Sequence, residues 1–276
     1  LILIDEDKRK DEAERRKCMN AADLVFLCLP DAAAIEAVTL IENPHTKVID
    51  ASTAHRCDSQ WAYGFSELGE AFLNAIRTSM RVANPGCHAT GFISIVYPLI
   101  QLGILSPADT ITAYSLTGYS GGGKKMIAQY EAGHDEALLA PRLYGLSLTH
   151  KHLPEMKKVC HLQKDPLFCP VVDDYYRGMA TSVMLEADAA QVHAALTKFY
   201  QKGLVHVHPF GDESNISANA MAGRDDLELV VCGRKEQTIV TALFDNLGKG
   251  ACGAAIQNMN IMLGLDPYAG LSLTER

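Results

Sequence analysis

The sequence lacks the features that would place the chain outside the cell or in a membrane. Its longest apolar runs are short, as at Leu24 to Leu29, so none can span a bilayer. Its first residues have no basic, apolar and small-residue order typical of a secretory signal. The eight cysteines include no Cys-x-x-Cys pair and form no short secreted framework. We therefore expect reduced thiols and a cytoplasmic location, with no membrane partner.

Basic stripes and recognised metal motifs are also missing. The chain has 25 Lys and Arg against 33 Asp and Glu, a formal net charge of −8, and no stretch where basic residues alternate with aromatic ones. We expect no nucleic-acid partner. No histidine or cysteine cluster has a characteristic metal spacing, so we expect no bound metal.

Strand and helix patterns alternate in the first third of the chain. The segments Leu1 to Ile4, Leu24 to Leu29 and Lys47 to Ala51 read as strands, and Glu6 to Lys17 has helical propensity. Asp31 is expected to cap a helix whose inner face carries Ala34, Ile35, Val38 and Ile41. This order predicts an α/β fold with a Rossmann-like, doubly wound sheet, whose ligands lie at the carboxyl ends of its strands.

The pattern becomes typical of an α+β layer after residue 87. A turn at Gly233 to Gln237 predicts an antiparallel hairpin. The expected strands are Thr110 to Leu116, Met179 to Glu186, Leu204 to Phe210, Leu227 to Gly233 and Thr238 to Phe244, and the expected helices are Ala189 to Gln201 and Asn246 to Leu265. We predict a cofactor domain formed by residues 1–86 and 245–276, an inserted catalytic domain formed by residues 87–244, and an active site in the cleft between them.

Cys87 lies where a Pro85-Gly86 turn passes into an apolar helical period. Free backbone N–H groups and the positive end of the helix dipole favour a thiolate there, and the same N–H groups can hold a substrate oxyanion. Position alone leaves two roles open, a nucleophile or a cysteine that packs in the core.

Two histidines, His150 and His152, flank a lysine before a Pro-Glu pair that can begin a helix. A histidine beside a cysteine thiolate forms an ion pair and can later pass a proton to or from the substrate oxygen. Either histidine suits that role, with His152 slightly favoured. From the residues alone, three alternatives remain: a surface histidine, a buried histidine with satisfied hydrogen bonds, or a metal ligand.

A glycine-rich loop follows the expected strand that ends near Leu116. Its three consecutive glycines, Gly121 to Gly123, expose backbone N–H groups that suit a phosphate, a carboxylate or a nicotinamide ring, and Lys124 adds positive charge. A flexible surface turn is the alternative.

Seven dispersed segments together resemble N-acetyl-gamma-glutamyl-phosphate reductase, in its second and shorter type. They are Val48 to Arg56 (VIDASTAHR), Tyr63 to Leu68 (YGFSEL), Asn84 to Cys87 (NPGC), Gly118 to Lys124 (GYSGGGK), His150 to Glu155 (HKHLPE), Arg177 to Met179 (RGM) and Asn246 to Gly250 (NLGKG). Several motifs in the right order are far more specific than any one of them.

The resemblance implies an enzyme of arginine biosynthesis that reduces an acyl phosphate with NADPH, through a thioester on Cys87, with His150 and His152 as the acid and base pair. It also implies a homo-oligomer, a dimer or tetramer, associated through the inserted sheet. The candidate cofactor residues are Leu29, Pro30, Ser52, Thr53, Gly121, Gly122, Asn246, Leu247, Gly248 and Lys249. The candidate substrate residues are Arg56, Asn84, Tyr119, Ser120, Lys124 and Arg177.

The start of the sequence departs from the family pattern. Nothing before Asp5 supplies the first strand and glycine-rich turn that hold the pyrophosphate in a dinucleotide-binding sheet. We expect a longer protein that begins about 25 to 30 residues earlier, the length of one strand, turn and helix. Asp5 at a strand end by itself favours NAD, whereas Lys8 and Arg9 suit a 2′-phosphate, so NADP rests on the resemblance.

Two other functions stay open at this point. An aspartate-semialdehyde dehydrogenase or a lysine-pathway relative performs the same chemistry on another acyl phosphate and differs only in substrate contacts. A non-catalytic NAD(P)-binding module keeps the fold without turnover, although such a module needs no activated thiol.

Overall fold

A computed structural model describes residues 1–133, 135–211 and 215–275. The chain forms two compact units, one made of Leu1–Pro85 with Ala255–Ala269 and the other of Gly86–Ala254 with Gly270–Arg276. The roles that we predicted for residues 1–86 with 245–276 and for residues 87–244 stay a prediction.

The first unit is built on a four-stranded parallel sheet in the order β1-β2-β4-β3. Its strands are β1 (Leu24–Leu27), β2 (Lys47–Asp50), β3 (Ala62–Tyr63) and β4 (Arg81–Ala83). Its helices are α1 (Glu12–Ala21), α2 (Asp31–Thr39), α3 (Glu70–Thr78) and most of the final helix α8 (Gly253–Leu263). Neighbouring residues of β2 point to opposite faces: Val48 packs with Ala34 of α2, and Ile49 packs with Ile76 of α3. The predicted α/β fold is confirmed.

The expected strand at Leu1 to Ile4 is wrong. These residues form no strand, and Leu1 and Leu3 are exposed. A strand needs a neighbouring strand that accepts and donates its backbone hydrogen bonds, and these residues have none. A three-residue turn of 3₁₀ helix begins soon after them, at Glu6. The helix expected at Glu6 to Lys17 begins only at Glu12, because the Asp11 carboxylate accepts a hydrogen bond from the Glu14 N–H at 2.9 Å and caps it.

The inner face predicted for α2 is partly wrong. Ala34 and Ala37 are buried, whereas Ile35 is exposed. Asp31 does not cap this helix, since Pro30 occupies the N-cap position. The Asp31 carboxylate instead accepts a hydrogen bond from the Thr53 N–H at 2.9 Å, and it also bonds the Thr53 hydroxyl. Asp31 thereby ties the loop after β1 to the loop after β2.

The second unit contains a seven-stranded mixed sheet in the order β6-β7-β5-β8-β11-β10-β9. Its strands are β5 (Thr112–Gly118), β6 (Arg142–Leu143), β7 (Leu167–Asp173), β8 (Met179–Leu185), β9 (Val205–Val207), β10 (Leu227–Arg234) and β11 (Gln237–Phe244). Its helices are α4 (Cys87–Gln101), α5 (Gly123–Glu131), α6 (Leu153–Val159) and α7 (Ala189–Phe199). The predicted hairpin is confirmed, because β10 and β11 pair antiparallel and the Lys235-Glu236 turn joins them.

The two faces of this sheet differ in burial. Val183 of β8 and Val240 of β11 are fully buried on the face that carries α4 and α7. On the opposite face, Met184 and Ile239 are 48% and 37% exposed. Such a half-covered apolar face is typical of a surface that a partner covers.

Helix α4 crosses β8 and β11 at close range. A Cβ on Gly91 would lie 2.5 Å from the Thr181 hydroxyl oxygen, so only glycine fits this crossing. Pro98 removes the N–H that would bond the Ser94 carbonyl, and the Tyr200 hydroxyl donates to that carbonyl at 2.8 Å instead. A proline in the middle of the helix is therefore tolerated.

The expected helix at Asn246 to Leu265 is interrupted at its start. Residues Gly248–Cys252 form a π-helical turn, in which the Cys252 N–H donates to the Leu247 carbonyl at 2.7 Å, and α8 follows. Such turns are rare and occur frequently at functional sites. Within the part of the chain that is described, no helix combines the length and the apolar character needed to cross a membrane.

Candidate active site

Cys87 is the first residue of α4 and is partly exposed between two buried neighbours, Gly86 and His88. Gly86 is the N-cap residue, with extended backbone angles. Its N–H donates to the Glu155 carboxylate at 2.9 Å, and Glu155 is only 2% exposed. A buried carboxylate of α6 therefore fixes the turn that presents the cysteine, a role that the sequence reading missed.

The predicted histidine pair lies beside this turn. His152 precedes α6 and is buried, and its N–H donates to Nδ1 of His150 at 3.2 Å. The two rings meet edge to face, with centroids 4.9 Å apart. Their centroids lie 5.9 Å and 5.3 Å from that of His88, the residue next to Cys87. The structure thus brings the histidine pair to the start of α4.

His88 is a buried member of the site that the sequence reading missed. Its Nδ1 lies 2.7 Å from the Ser115 hydroxyl, and its Nε2 lies 2.7 Å from the Tyr144 hydroxyl. Ser115 in turn lies 2.7 Å from the Thr181 hydroxyl. The available signal was a polar residue on an otherwise apolar helix face, next to the candidate nucleophile.

Burial controls the protonation of these rings. Burial, together with electrostatic interactions with His150 and Lys151, lowers the pKa of His88 to about 3. Burial and Lys151 lower the pKa of His150 to about 4. Burial and the neighbouring Cys87 raise the pKa of Tyr144. Near neutral pH, both imidazoles are uncharged and the Tyr144 hydroxyl keeps its proton.

Gly250 approaches the cysteine from the π-helical turn. A Cβ at this position would lie 3.0 Å from the Cβ of Cys87 and 3.1 Å from the Asp245 carbonyl oxygen. Any side chain here would therefore push against the nucleophile. This close approach explains why the Asn246 to Gly250 motif ends in glycine, which the motif alone did not reveal.

The glycine-rich loop is held by Asn246. Residues Tyr119–Gly122 form a turn of 3₁₀ helix rather than an open loop. The Asn246 side-chain amide donates to the Ser120 hydroxyl at 2.9 Å, and its oxygen accepts from the Gly178 N–H at 2.9 Å. A Cβ on Gly121 would lie 3.6 Å from the Asn246 amide nitrogen. The candidates Tyr119 to Gly122, Arg177 and Asn246 therefore lie in one cluster.

The charged candidates of the second unit differ in exposure. Arg177 is half-exposed, and its Nε lies 3.5 Å from the buried carboxylate of Asp245. Lys124 is exposed. Lys249 is buried and interacts electrostatically with Asp225. The Leu247 N–H donates to the Asp245 carboxylate at 2.8 Å, so Asp245 orders both Arg177 and this segment.

Arg56 and Asn84, the substrate candidates of the first unit, are both buried. The Arg56 guanidinium donates to the Asn84 carbonyl at 2.8 Å and to the Ala51 carbonyl at 2.9 Å. The Asn84 side-chain oxygen accepts from the Asn258 amide at 3.0 Å. These contacts hold the carboxyl ends of β2 and β4 together, which is a structural task.

The candidate cofactor residues of the first unit lie at the carboxyl ends of β1 and β2. Leu29 and Pro30 are exposed after β1. Ser52 is buried, and its N–H and hydroxyl both donate to the Asp50 carboxylate, at 2.9 Å and 2.7 Å. An exposed apolar pair at this edge of a parallel sheet fits one side of a dinucleotide. Gly121 and Gly122 in the second unit are exposed, and their backbone N–H groups suit a phosphate or a nicotinamide ring.

No metal-binding group of the described residues includes His150 or His152. Within residues 1–133, 135–211 and 215–275, no group of three or more histidine, cysteine or acidic residues has the arrangement to hold a metal ion.

Two family models match the chain in sequence order. The model described as the semialdehyde dehydrogenase NAD binding domain matches residues 5–76, and that described as the semialdehyde dehydrogenase dimerisation domain matches residues 87–246. These spans follow the two units closely.

The chain is also similar to proteins named N-acetyl-gamma-glutamyl-phosphate reductase. One from Pseudomonas putida is 42% identical over 96% of this chain and 88% of that protein. One from Mesorhizobium japonicum is 43% identical over 96% of this chain and 91% of that protein.

Solved structures share the fold at low sequence identity. The crystal structure of aspartate semialdehyde dehydrogenase II from Vibrio cholerae aligns with a TM-score of 0.69 at 17% identity, covering 89% of this chain and 81% of that chain. The enzyme from Francisella tularensis aligns with a TM-score of 0.69 at 13% identity, covering 90% and 84%.

Proposed function

The chain belongs to the N-acetyl-gamma-glutamyl-phosphate reductase family, and we propose that it reduces N-acetyl-gamma-glutamyl phosphate to N-acetylglutamate semialdehyde and phosphate with NADPH. This is a step of arginine biosynthesis. The observation that carries the proposal is the position of Cys87, partly exposed as the first residue of α4 and followed by His88, whose ring lies against those of His150 and His152.

Cys87 is the proposed nucleophile. Its sulfur attacks the acyl carbon of the substrate, a carbon–sulfur bond forms, and phosphate leaves with the electron pair of the broken carbon–oxygen bond. The first N–H groups of α4 have no acceptor within the helix by geometry, so they stabilise the oxyanion that develops on the acyl oxygen. The Glu155 carboxylate keeps the Gly86 turn in place during these steps.

NADPH supplies the hydride that reduces the thioester. We assign its binding to Leu29, Pro30, Ser52 and Thr53 of the first unit together with Gly121, Gly122 and the Asn246 to Lys249 segment. In this proposal residues 1–86 and 245–276 form the cofactor domain, and residues 87–244 carry the chemistry.

His152 is the proposed acid and base. The reduced intermediate collapses to the aldehyde when the His152 imidazole accepts the proton of its hydroxyl group and the carbon–sulfur bond breaks, which releases Cys87 as a thiolate. Burial lowers the pKa of His150 to about 4, so His150 is a poor proton acceptor at neutral pH and orients His152 instead. Tyr119, Ser120, Lys124 and Arg177 are the proposed substrate contacts, and the exposed Lys124 and half-exposed Arg177 suit its anionic groups. We assign Arg56 and Asn84 to the same set, because their hydrogen bonds hold the backbone at the carboxyl ends of β2 and β4 in place.

The half-covered sheet face of the second unit is the proposed surface for association with a second copy. The family model that matches this region describes a dimerisation domain, and Met184 and Ile239 are exposed on this face. We also propose a cytoplasmic location, since no disulfide joins the cysteines of the described residues, as expected in a reducing compartment.

A reverse assay tests the function with the full chain. N-acetylglutamate semialdehyde should reduce NADP⁺ only when phosphate is present, and Cys87→Ser should abolish this activity. Preference for aspartate semialdehyde would overturn the substrate assignment in favour of the related dehydrogenase. Absence of turnover with either aldehyde would overturn the enzymatic role in favour of a binding module.

A further inference from the structure

A short segment of the second unit, residues 270–275, lies beside Asp225, and we call this segment the strap. The Asp225 N–H donates to the Ser272 carbonyl at 2.7 Å, and the Ser272 N–H donates to Asp225 Oδ2 at 2.8 Å. The Arg224 guanidinium donates to the Leu273 carbonyl at 2.9 Å. These three hydrogen bonds fix the strap against Asp225, a residue to which the proposed mechanism gives no part.

The second oxygen of this carboxylate, Oδ1, lies against the π-helical turn. A Cβ on Gly248, the first residue of the turn, would lie 2.9 Å from this oxygen. A Cβ on Gly253, the residue just after the turn, would overlap it. Both glycines leave free the space that the carboxylate fills. Asp225 therefore packs against both ends of the π-helical turn.

The middle of the same turn faces the proposed nucleophile. The Gly250 N–H donates to the Asp245 carbonyl at 3.0 Å, and a Cβ on Gly250 would lie 3.0 Å from the Cβ of Cys87. The Gly250 backbone thus limits where the Cys87 side chain can lie. A continuous series of contacts within the second unit leads from Ser272, through Asp225 and the π-helical turn, to Cys87.

The charges around Asp225 explain why its carboxylate needs the strap. Burial, with the nearby carboxylates of Asp245 and Asp226, raises the pKa of Asp225, whereas the hydrogen bond from Ser272 and the charge of Lys249 oppose this rise. Repulsion between the three carboxylates favours a conformation in which Asp225 turns away toward water. The Ser272 N–H opposes that movement, because it binds Oδ2 while Oδ1 stays at the turn.

We propose that Asp225 is a positioning residue that braces the π-helical turn, so that Gly250 keeps the Cys87 side chain in the place needed for attack. The strap acts through Asp225, by holding its carboxylate at the turn. Asp225 neither binds substrate nor transfers a proton in this role. The inference deepens the proposed function and rests on it only in taking Cys87 as the nucleophile.

Four variants separate the brace from general stability. Asp225→Ala removes both contacts of the carboxylate, whereas Asp225→Asn keeps its size and one accepting oxygen and is the conservative rescue. Ser272→Pro removes the N–H that Oδ2 accepts, at an exposed position. Asp188→Ala is the matched control, because Asp188 is also half-buried in this unit and its carboxylate accepts one backbone N–H, that of Gln191 at 3.0 Å, to cap α7.

Hydrogen exchange of the peptide that covers residues 246–254 reports on the turn and needs no substrate. We expect this peptide to exchange roughly 10-fold faster in Asp225→Ala and in Ser272→Pro, because loss of the brace allows the turn to open locally. Asp225→Asn should stay within about threefold of the wild type. Asp188→Ala should match the wild type in this peptide.

Alkylation by N-ethylmaleimide reports on the cysteine itself. We expect Cys87 to react roughly threefold faster or more in Asp225→Ala, because retreat of the Gly250 backbone gives its side chain room. Cys160 is fully buried in the same unit and should stay as unreactive as in the wild type. An equal rise at Cys87 and Cys160 would show that the whole unit loosens, and it would overturn the positioning role.

Turnover in the reverse assay separates positioning from substrate binding. We expect kcat to fall roughly 10-fold in Asp225→Ala with KM within about twofold, because the sulfur loses its attack geometry while the substrate contacts remain. The double variant Asp225→Ala with Ser272→Pro should be no worse than Asp225→Ala alone, because the strap acts through Asp225. Additive losses, or an Asp225→Ala protein with wild-type exchange and alkylation, would overturn the proposal.

Hydrogen exchange and alkylation keep this inference distinct from the proposed function, because neither needs turnover. If the wild type lacks reductase activity but Asp225→Ala speeds both exchange of the turn and alkylation of Cys87, the positioning role stands and the function fails. If the wild type is a full reductase and Asp225→Ala changes neither, the function stands and the positioning role fails.

Discussion

The sequence predicts Arg56 as a contact for the substrate carboxylate, and in the structure its buried side chain also stabilises the fold. Two of its nitrogens donate to backbone carbonyls of Asn84 and Ala51. A lysine has one ammonium on a flexible stem and does not reproduce this fork. We predict that Arg56→Lys lowers the free energy of unfolding by about 1 to 3 kcal/mol, measured by urea denaturation.

Arg177→Lys is the control for this prediction, because the half-exposed Arg177 pairs with Asp245 at 3.5 Å. Its effect on unfolding should stay below about 1 kcal/mol. An Arg56→Lys protein with an unchanged urea midpoint and a raised KM would show instead that Arg56 serves the substrate alone.

The neutral state of His88 predicts how stability depends on pH. Burial lowers its pKa from 6.5 to about 3, so the unfolded chain binds a proton that the folded chain does not. The stabilisation from neutral His88 is complete above pH 6.5 and is lost as the pH falls toward 3. The free energy of unfolding should fall by about 1.4 kcal/mol per pH unit from this residue between about pH 6 and pH 4.

Comparison of the wild type with His88→Asn isolates this contribution. Urea denaturation at a series of pH values should give a slope that is smaller in His88→Asn by about one proton, or about 1.4 kcal/mol per pH unit. Equal slopes in the two proteins would mean that His88 is already protonated in the folded state.

At the scale of single residues, the site side chains that occur in local motifs could be predicted from the sequence. Those whose role comes from contacts with distant segments could not. Cys87 was found because a turn before an apolar helix is a local pattern. His88 was missed because its partners, Ser115 and Tyr144, come from a strand and a loop far along the chain. Local sequence patterns do not indicate which of these distant segments come into contact in the folded sheet.

At the scale of elements, the close approach of the π-helical turn to α4 makes Gly250 a sensitive position. A methyl group on Gly250 would lie 3.0 Å from the Cys87 Cβ and 3.1 Å from backbone, which has little room to move. We predict that Gly250→Ala slows alkylation of Cys87 and lowers kcat roughly 10-fold or more, since small shifts of a nucleophile are costly.

Gly211→Ala is the matched control for Gly250→Ala, because the nearest atom to its added Cβ would be 4.0 Å away. It should leave alkylation and turnover at wild-type values. If Gly250→Ala also keeps both, then the turn has room to retreat and the proposed constraint on Cys87 is wrong.

The elements predicted best were those with a regular apolar period. Strands β8, β10 and β11 and helix α7 lie within a few residues of their expected bounds. Strand β7 was missed because Pro170 interrupts its apolar run. On one side of β7, the two-residue β6 pairs only with Val171 and Val172. Pro170 lies outside this pairing, so its missing N–H is tolerated there. The expected strand at Leu1 to Ile4 failed because four apolar residues alone do not supply a neighbouring strand.

At the scale of the whole molecule, the half-covered sheet face predicts self-association. Met184→Asp places a charge on this face and should shift the protein to monomers in sedimentation experiments, because a buried unpaired charge costs several kcal/mol at an interface. Ile35→Asp changes a similarly exposed side chain, at 53% against 48%, on α2 of the other unit. It should keep the wild-type assembly, and a Met184→Asp protein that also keeps it would locate the interface elsewhere.

The order of elements carried most of the information about the whole chain. Alternating strands and helices before residue 87 and a mixed layer after it predicted the α/β fold that the structure and the family models support. The chain returns to the first unit at Ala255–Ala269. The passage of Gly270 and the residues after it into the second unit was not expected, because it depends on Ser272 and Asp225 exchanging two hydrogen bonds, at 2.7 and 2.8 Å.

The proposed mechanism depends on a thioester that forms on Cys87, and mass spectrometry detects such a thioester directly. The protein is incubated with N-acetylglutamate semialdehyde and NADP⁺ without phosphate, so that the acyl group has no acceptor, and is then digested. We predict that the peptide containing Cys87 gains the mass of one N-acetylglutamyl acyl group and loses it when phosphate is added. An acyl group on another residue, or turnover on adding phosphate without any acylation of Cys87, would contradict the proposed thioester mechanism.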